Sequence, residues 1–294
     1  MFGLFSNRRR RALRAQASPA TWRGILKRNV PLFARLDAAD QAELIGHMQV
    51  FLAEKNFEGC RGLEITEEIR VTIAAQACLL LIHREADYFP HMGAVLVYPE
   101  AYLTRHKHLD EHGLEEDIEQ VNVGEAWERG SVILSWADVK LDAQDVDDGF
   151  NVVLHEFAHQ LDMEDGVADG VPVLPVRGAA RKPAYAEWAR VMEEEFAALT
   201  RYAEWLDEHY PEDDVAGASL PRWPGRPAPA KPEPAERPAF LAAHVLDPYG
   251  AEDPAEFFAV ATEAFFEDAA ALKEHHPALY AQLQAFYRQD PAGW

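Results

Sequence analysis

The chain has 294 residues, of which 48% are hydrophobic, so it can bury a substantial core and is not disordered throughout. Its formal net charge of −22 excludes general nucleic-acid binding, because most of the surface would repel phosphates. No apolar run is long enough to insert stably in a membrane, and the two cysteines, Cys60 and Cys78, favour free thiols in a reducing cytoplasm over a disulfide scaffold.

The N-terminal segment carries four consecutive arginines, Arg8 to Arg11, but lacks the apolar stretch of a secretion signal. We therefore expect residues 1–18 to be a flexible basic tail. Further on, Asp37 precedes apolar residues at helical spacing and predicts a helix cap. Thr66 likewise predicts the start of a second helix, which extends to Ile82.

Two short segments rich in β-branched residues, 94–98 and 132–136, predict strands. The first is expected to offer an edge with which an extended peptide can pair. Between them, the acidic stretch 106–125 predicts a loop or a hairpin. Its loosely spaced histidines are interpreted as a solvated segment in preference to a second metal site: His106, His108 and His112.

The second half of the chain predicts further helices at 149–163, 183–209, 254–268 and 277–288. Residues 211–239 contain eight prolines and almost no bulky aliphatic residues, which is typical of a linker or surface loop. Because motifs on both sides of it must meet in space, we interpret it as an insertion in one domain, 19–294. The predicted fold class is α+β, mostly helical, with a small β-sheet packed on the 149–163 helix.

The 149–163 helix contains the sequence His155-Glu156-Phe157-Ala158-His159. At about 100° per residue, the two histidines point the same way, as two corners of a zinc tetrahedron require. Glu156 lies on the flank, where a carboxylate can take a proton from a metal-bound water and pass it to a leaving amine. The opposite face is apolar and suited to the core: Phe150, Val153, Leu154, Phe157 and Leu161.

A catalytic zinc site needs a third protein ligand, and the residues leave several candidates. Asp165 lies ten residues after His155, but a ligand there requires a helix-breaking glycine where this chain has Asp162. Asp162 itself is compatible with a hydrogen bond to a ligand imidazole or with local bonds at the helix end. The other candidates are carboxylates on one face of the 254–268 helix: Glu256, Glu263 and Glu267.

These residues resemble the Mlc titration factor A family of zinc metallopeptidases, which is related to the catalytic domain of anthrax lethal factor. The resemblance covers about residues 20–290. It rests on His155 to Asp162 and on the segment Tyr249 to Val260, followed by Glu263-Ala264-Phe265-Phe266. The Pro-rich insertion is longer than expected for the enteric members of the family.

The resemblance implies a zincin-like fold in which His155, His159 and Glu256 bind one Zn²⁺ ion. This is the gluzincin arrangement, HExxH plus a downstream glutamate. It also implies that Glu156 is the general base and that Tyr249 donates a hydrogen bond to the oxyanion, a role that suits a hydroxyl beside zinc. Glu263, about 10 Å further along the helix axis than Glu256, is expected to be an outer partner or a buried structural carboxylate.

The expected function is therefore hydrolysis of peptide bonds through a zinc-activated water, on a peptide or protein substrate. The resemblance suggests aminopeptidase-like activity with a regulatory role. The alternative is a regulatory protein that sequesters a transcription factor of the Mlc repressor type and retains only a vestigial zinc site. Glu156 and Tyr249 argue against that alternative, because a structural site needs neither of them.

Overall fold

The protein was analysed as a computed structural model that describes residues 2–85, 87–100, 104–109, 115–120, 130–142, 149–209 and 245–294. The helices are α1 Phe2–Arg14, α2 Ala20–Asn29, α3 Leu32–Arg35, α4 Ala38–Glu54, α5 Glu67–Leu79, α6 Trp136–Asp142, α7 Val152–Asp162, α8 Arg181–His209, α9 Pro254–Glu267, α10 Ala269–His275 and α11 Pro277–Tyr287. The strands are β1 Asn56–Gly59, β2 Ala94–Tyr98, β3 Thr104–Leu109, β4 Glu115–Gln120 and β5 Ser131–Ser135. The fold is thus mostly helical α+β, as predicted. The Pro-rich segment 211–239 lies outside the described residues.

Both predicted helix caps are present. The Asp37 carboxylate accepts hydrogen bonds from the backbone N–H groups of Ala39 and Asp40 and so begins α4. The Thr66 hydroxyl accepts one from Ile69 and begins α5. This helix ends at Leu79, three residues before the predicted Ile82, because the chain then turns to the left-handed backbone conformation of His83 (φ 61°).

The main sheet has three parallel strands in the order β1-β2-β5. Val95 of β2 pairs with Phe57 on one side and with Val132 on the other. Residues 94–98 therefore form the central strand, and the expectation that they offer a free edge to a peptide is wrong. Among the described strands, β5 lies at an edge of this sheet and contacts α7.

The stretch between the two predicted strands contains an antiparallel hairpin, in which β3 pairs with β4. The hairpin interpretation is therefore the one that the backbone supports. His106 and His108 lie on β3, opposite Ile118 and Glu116. His112 falls outside the described residues.

The basic N-terminal segment differs from the expected flexible tail, since residues 2–14 form α1, which packs on α4. Arg10 accounts for much of this attachment. Its guanidinium pairs with Glu54 at 2.9 Å and with Asp87 at 2.8 Å, and it lies over the ring of Tyr88. The sequence signal was the run of charges, which does not reveal the acidic partners that neutralise it.

The helix α7 runs through the centre of the molecule, between α5, α9 and β5. Its predicted apolar face is buried: Phe157 packs edge-to-face against Phe51 and Phe89. On the other side, α7 contacts α9 over much of its length. Within the described part of the chain, no helix is long and apolar enough to cross a membrane.

Candidate metal centre

The start of α7 is fixed by two polar side chains. The Asn151 side chain caps the helix by accepting a hydrogen bond from Leu154 N–H at 2.9 Å. Asp142, at the end of α6, accepts one from Val152 N–H at 2.9 Å. With its first N–H groups bound in this way, the helix presents His155 and His159 in a defined direction.

The segment that faces them begins with a short 3₁₀ turn, Pro248–Ala251, capped by Asp247. A second cap follows, in which the Asp253 carboxylate accepts hydrogen bonds from Ala255 and Glu256 N–H and Pro254 occupies the first position of α9. Two successive caps therefore place Tyr249 and Glu256 at the same end of α9, beside α7.

Three potential metal ligands converge between these helices. The Nε2 atoms of His155 and His159 lie 3.2 Å apart, and the Glu256 carboxylate lies 3.0 Å from the first and 3.4 Å from the second. Around a zinc ion with bonds of about 2.0–2.1 Å, the corners of a tetrahedron are about 3.3 Å apart. The three side chains therefore have the mutual spacing of three zinc ligands, with the fourth corner left for a water or a substrate atom.

A second glutamate of α9 orients one of these imidazoles. The Glu263 carboxylate accepts a hydrogen bond from His155 Nδ1 at 2.7 Å, which directs the Nε2 atom of the same ring to Glu256 and His159. Such a carboxylate–imidazole contact is the usual way in which proteins fix the tautomer and rotation of a metal-binding histidine. The structure thus places Glu263 behind His155, as expected from its distance along the helix.

The charges of the group are strongly coupled. Burial disfavours a charged His155, but Glu263 and Glu256 outweigh burial and hold its pKa well above the usual value. At His159 burial dominates and lowers the pKa to about 4. Burial also opposes ionisation of Glu256, yet hydrogen bonds from His155 and His159 hold its pKa well below the usual range. Buried carboxylates that face imidazoles in this way suit a divalent cation, which would take the place of a proton.

The two predicted catalytic groups lie at the same site. Glu156 is buried, with 1% of its surface exposed. The Tyr249 ring lies 6.0 Å from the His155 ring, and its hydroxyl interacts with the Glu256 carboxylate. Burial raises the pKa of Tyr249 above its usual value, and the charges of Glu256, Glu252 and Glu156 add to this effect. The phenol therefore stays protonated and can donate a hydrogen bond.

Comparison with known proteins identifies the family. The model of the glucose-regulated metallo-peptidase M90 family matches residues 4–288. The chain belongs to the M90 family of metallopeptidases. It is 34% identical to the uncharacterized protein slr2042 of Synechocystis sp. over 274 residues, which cover 93% of this chain and 85% of the relative. It is 31% identical to Mlc titration factor A of Salmonella agona and of Salmonella gallinarum over 264 residues, covering 90% of this chain and 84% of each relative.

Membership of the M90 family establishes a metallopeptidase and implies a bound metal. The residues present fit that metal, because two imidazole nitrogens and a carboxylate oxygen face one another inside the protein. The donor set is also of the kind that zinc prefers.

The other candidates for the third ligand lie elsewhere. Asp165 is exposed in the 3₁₀ turn after α7, where it accepts a hydrogen bond from Val167 N–H. Asp162 does not bond to a ligand imidazole either. It accepts a hydrogen bond from Gly170 N–H at 2.8 Å, and burial raises its pKa to about 7. Of its two proposed roles, the structure supports the local one: Asp162 anchors the loop that follows the motif helix of this M90 protein.

A second group with metal-binding side chains occurs at Asp40, Glu43 and His83. Here His83 Nδ1 donates to the Arg288 carbonyl at 3.0 Å, and Nε2 contacts Asp40 at 2.7 Å. Glu43 is paired with Arg14 at 3.3 Å. Ion pairs and hydrogen bonds within the protein therefore account for this cluster without a metal.

Two residues beside the metal centre, Asn151 and Gln76, were not predicted from the sequence, and Glu267, a candidate ligand there, bonds to Asn151 instead. The Asn151 amide donates to the side-chain oxygens of Gln76, at 2.7 Å, and of Glu267, at 2.8 Å. Two signals pointed to them. Asn151 directly precedes the first residue of α7, which is a cap position, and Gln76 is a polar residue within an apolar stretch.

Proposed function

We propose that this M90 protein is a zinc-dependent peptidase in which His155, His159 and Glu256 hold one Zn²⁺ ion. The observation that carries the proposal is the convergence of these three side chains at 3.0–3.4 Å, with His155 oriented from behind by Glu263. When bound, zinc would polarise the substrate carbonyl and lower the pKa of a water to about 7. The gluzincin-like set of HExxH plus Glu256 leaves one position open for this chemistry.

In the proposed mechanism, Glu156 accepts a proton from the attacking water and then donates it to the leaving amine. Its burial, with 1% of the residue exposed, keeps the carboxylate away from bulk solvent. Tyr249, which stays protonated, donates a hydrogen bond to the carbonyl oxygen as negative charge develops there. The apolar face of α7, fixed by Phe157, holds Glu156 in place relative to the ligands.

For substrate binding, β5 is the strand that the geometry favours. Among the described strands it forms an edge of the sheet, and it contacts α7, whereas β2 is covered on both sides. An extended peptide that pairs with β5 would pass close to the candidate metal centre. We propose aminopeptidase-like activity, which is tested by comparing peptide anilides with free and acetylated amino termini. Hydrolysis of both with equal kcat/KM would instead indicate an endopeptidase.

The proposal is tested by Glu156→Gln, with Glu164→Gln as a matched control on the turn that follows α7. The amide keeps the shape of the side chain but cannot accept the proton, so kcat should fall roughly 10²- to 10⁴-fold while one zinc ion per chain is retained. Glu164→Gln should leave both properties unchanged. If Glu156→Gln hydrolyses a fluorogenic peptide at the wild-type rate, Glu156 is not the general base.

A regulatory role is the second candidate, because the Salmonella relatives carry the name Mlc titration factor A. We propose that, if this chain also binds an Mlc-type repressor, binding is separate from catalysis. Glu156→Gln should then hold such a repressor as tightly as wild type does in a titration. Equal absence of binding in both proteins would remove this candidate and leave the peptidase proposal intact.

Two further proposals concern the whole chain. We propose a single domain over 19–294, into which the segment 211–239 is inserted. We also propose a cytoplasmic location, which agrees with the free thiols of Cys60 and Cys78.

A further inference from the structure

Four polar side chains are buried together at the beginning of α7, behind the candidate metal centre. They come from three helices and are almost fully enclosed: Asn151 is 2% exposed, Gln76 2%, Glu263 1% and Glu267 3%. Burying polar and charged groups costs free energy unless each finds a partner, so the hydrogen bonds within such a cluster hold its members in a defined arrangement.

Asn151 is at the centre of this cluster. Its side-chain NH₂ group donates to Gln76 and to Glu267, while its side-chain oxygen accepts from Leu154 N–H. The amide thus uses both donor hydrogens and its oxygen, and its rotation is fixed by groups on α5, α7 and α9. An aspartate would lose both donations and add a third negative charge beside Glu263 and Glu267.

The main-chain N–H of Asn151 fixes Glu263. It donates to Oε2 of that carboxylate at 2.6 Å, while Oε1 accepts from His155 Nδ1 at 2.7 Å. The two oxygens of Glu263 are therefore bound to two points of the same helix, one turn apart. The carboxylate cannot rotate without breaking one of these bonds, and the imidazole of His155 is held in turn.

We propose that Asn151 and Glu263 are positioning residues that set the metal affinity of the site. Asn151 holds the Glu263 carboxylate, and Glu263 holds the His155 imidazole with its Nε2 atom directed to His159 and Glu256. This inference rests on the proposed function, in which His155 is a metal ligand. Outer partners of this kind contribute about 10- to 100-fold to metal affinity in other proteins, because they remove the freedom of the ligand before the metal binds.

The test compares zinc dissociation constants, measured by competition with a chromophoric chelator, for full-length variants. Glu263→Gln keeps the shape of the side chain, but an NH₂ donor replaces one of the two oxygens that accept from Asn151 N–H and His155 Nδ1. We expect zinc binding about 10- to 100-fold weaker than in wild type. Asn151→Ser still caps α7 but replaces two amide donations with at most one from its hydroxyl. Its main-chain N–H still binds Glu263, so we expect a smaller loss of zinc affinity, less than about tenfold.

Glu267→Gln is the matched control. Its amide oxygen can still accept from Asn151, and the two ring nitrogens of His155 bond to Glu263 and Glu256, so its zinc affinity should stay within about twofold of wild type. A readout that a merely structural role would not change is the visible spectrum of the Co²⁺-substituted protein. The ligand-field bands should shift in Glu263→Gln and stay as in wild type in Glu267→Gln, while the metal-free variants unfold at similar urea concentrations.

Three results bear on the outcome. The inference is supported if Glu263→Gln binds zinc more weakly and shifts the Co²⁺ spectrum while Glu267→Gln does neither. Equal losses in Glu263→Gln and Glu267→Gln, or wild-type affinity in Glu263→Gln, would overturn it. If His159→Ala binds zinc as tightly as the wild type does, the proposed function itself is contradicted.

Discussion

Among the residues that the structure describes, two groups of side chains bring histidine and carboxylate ligand atoms within 4.8 Å of one another, and only one of the two has the features of a metal centre. In the first group, at α7 and α9, the three ligand atoms are 3.0–3.4 Å apart. In the second, His83 Nε2 lies 2.7 Å from Asp40 and 3.8 Å from Glu43. The first spacing is that of a tetrahedron, and the second is that of one hydrogen bond and one looser ion pair.

Burial and charge separate the two groups further. The His159 side chain is 1% exposed, whereas that of His83 is 40% exposed. Glu43 faces the guanidinium of Arg14, so its charge is already balanced. The partners that hold Glu256 are imidazoles. Proximity of ligand atoms is therefore a weak criterion. A metal centre is better recognised by burial, by carboxylates whose partners are imidazoles and by outer partners that orient the ligands.

The largest expected contrast between the groups is in metal binding. Glu256→Ala should weaken zinc binding more than about 100-fold, since a direct ligand contributes more than an outer partner does. Asp40→Ala should have no effect on the zinc bound per chain, and Asp165→Ala should have none either. Equilibrium dialysis under a mild chelator measures all three. Metal loss in Asp165→Ala with retention in Glu256→Ala would reverse the ligand assignment.

The next effect concerns catalysis within the first group. Tyr249→Phe should lower kcat by about 100-fold, or about 3 kcal/mol, while KM and zinc content stay near wild type. The reason is that the hydroxyl acts mainly in the transition state. Steady-state kinetics with a fluorogenic peptide check this expectation. A change confined to KM would make Tyr249 a substrate-binding residue.

A third effect is a pH dependence of stability that arises at the end of α7. Burial raises the pKa of Asp162 from 3.8 to about 7, so the folded protein binds the proton more tightly than the unfolded chain and loses stability as pH rises between these values. The full pKa shift corresponds to about 4 kcal/mol in the free energy of unfolding. We expect about half of that value, because the structure around Asp162 relaxes when the carboxylate ionises.

Asp162→Asn isolates this effect, because its amide oxygen can still accept the hydrogen bond from Gly170. We expect the difference in free energy of unfolding between the metal-free variant and wild type, measured in urea, to change by about 2 kcal/mol in favour of the variant as pH rises from 4.5 to 8. A constant difference across this range would show that Asp162 is ionised in the fold.

The smallest effect is expected in the second group. Contacts with the Arg288 carbonyl and Asp40 outweigh burial and raise the pKa of His83, so its pairing stabilises the fold below about pH 6.5, and the contribution is lost as pH rises through the raised pKa. Because the pair is partly exposed, His83→Gln should cost less than about 1 kcal/mol at pH 6 and nothing at pH 9. A cost of several kcal/mol, or an effect on zinc content, would show that this group has a larger role.

The parts of the fold that follow from local patterns could be predicted from the sequence. The motif helix, its apolar face and the capped helices at Asp37 and Thr66 depend on neighbours within one turn. The helix that carries Glu256 also begins at the predicted Pro254. What could not be read from spacing was which carboxylate of that helix faces the histidines, and there the family resemblance supplied the expectation.

Other features depend on partners far apart in the chain. The central position of β2 requires β1, a strand of four residues at 56–59 that has no strong pattern of its own. The docking of α1 depends on Glu54 and Asp87, which lie 44 and 77 residues from Arg10. The cluster around Asn151 joins residues that are 75 and 116 positions apart, so its members look like unrelated polar residues in the sequence.

The most direct test of the metal centre is anomalous diffraction at the zinc edge from crystals of Glu156→Gln grown with one equivalent of zinc. We predict a single peak about 2 Å from the Nε2 atoms of His155 and His159 and from the Glu256 carboxylate, and none among Asp40, Glu43 and His83. A peak at the second group with none at the first, or zinc bound to His155 and His159 with Asp165 in place of Glu256, would contradict the account.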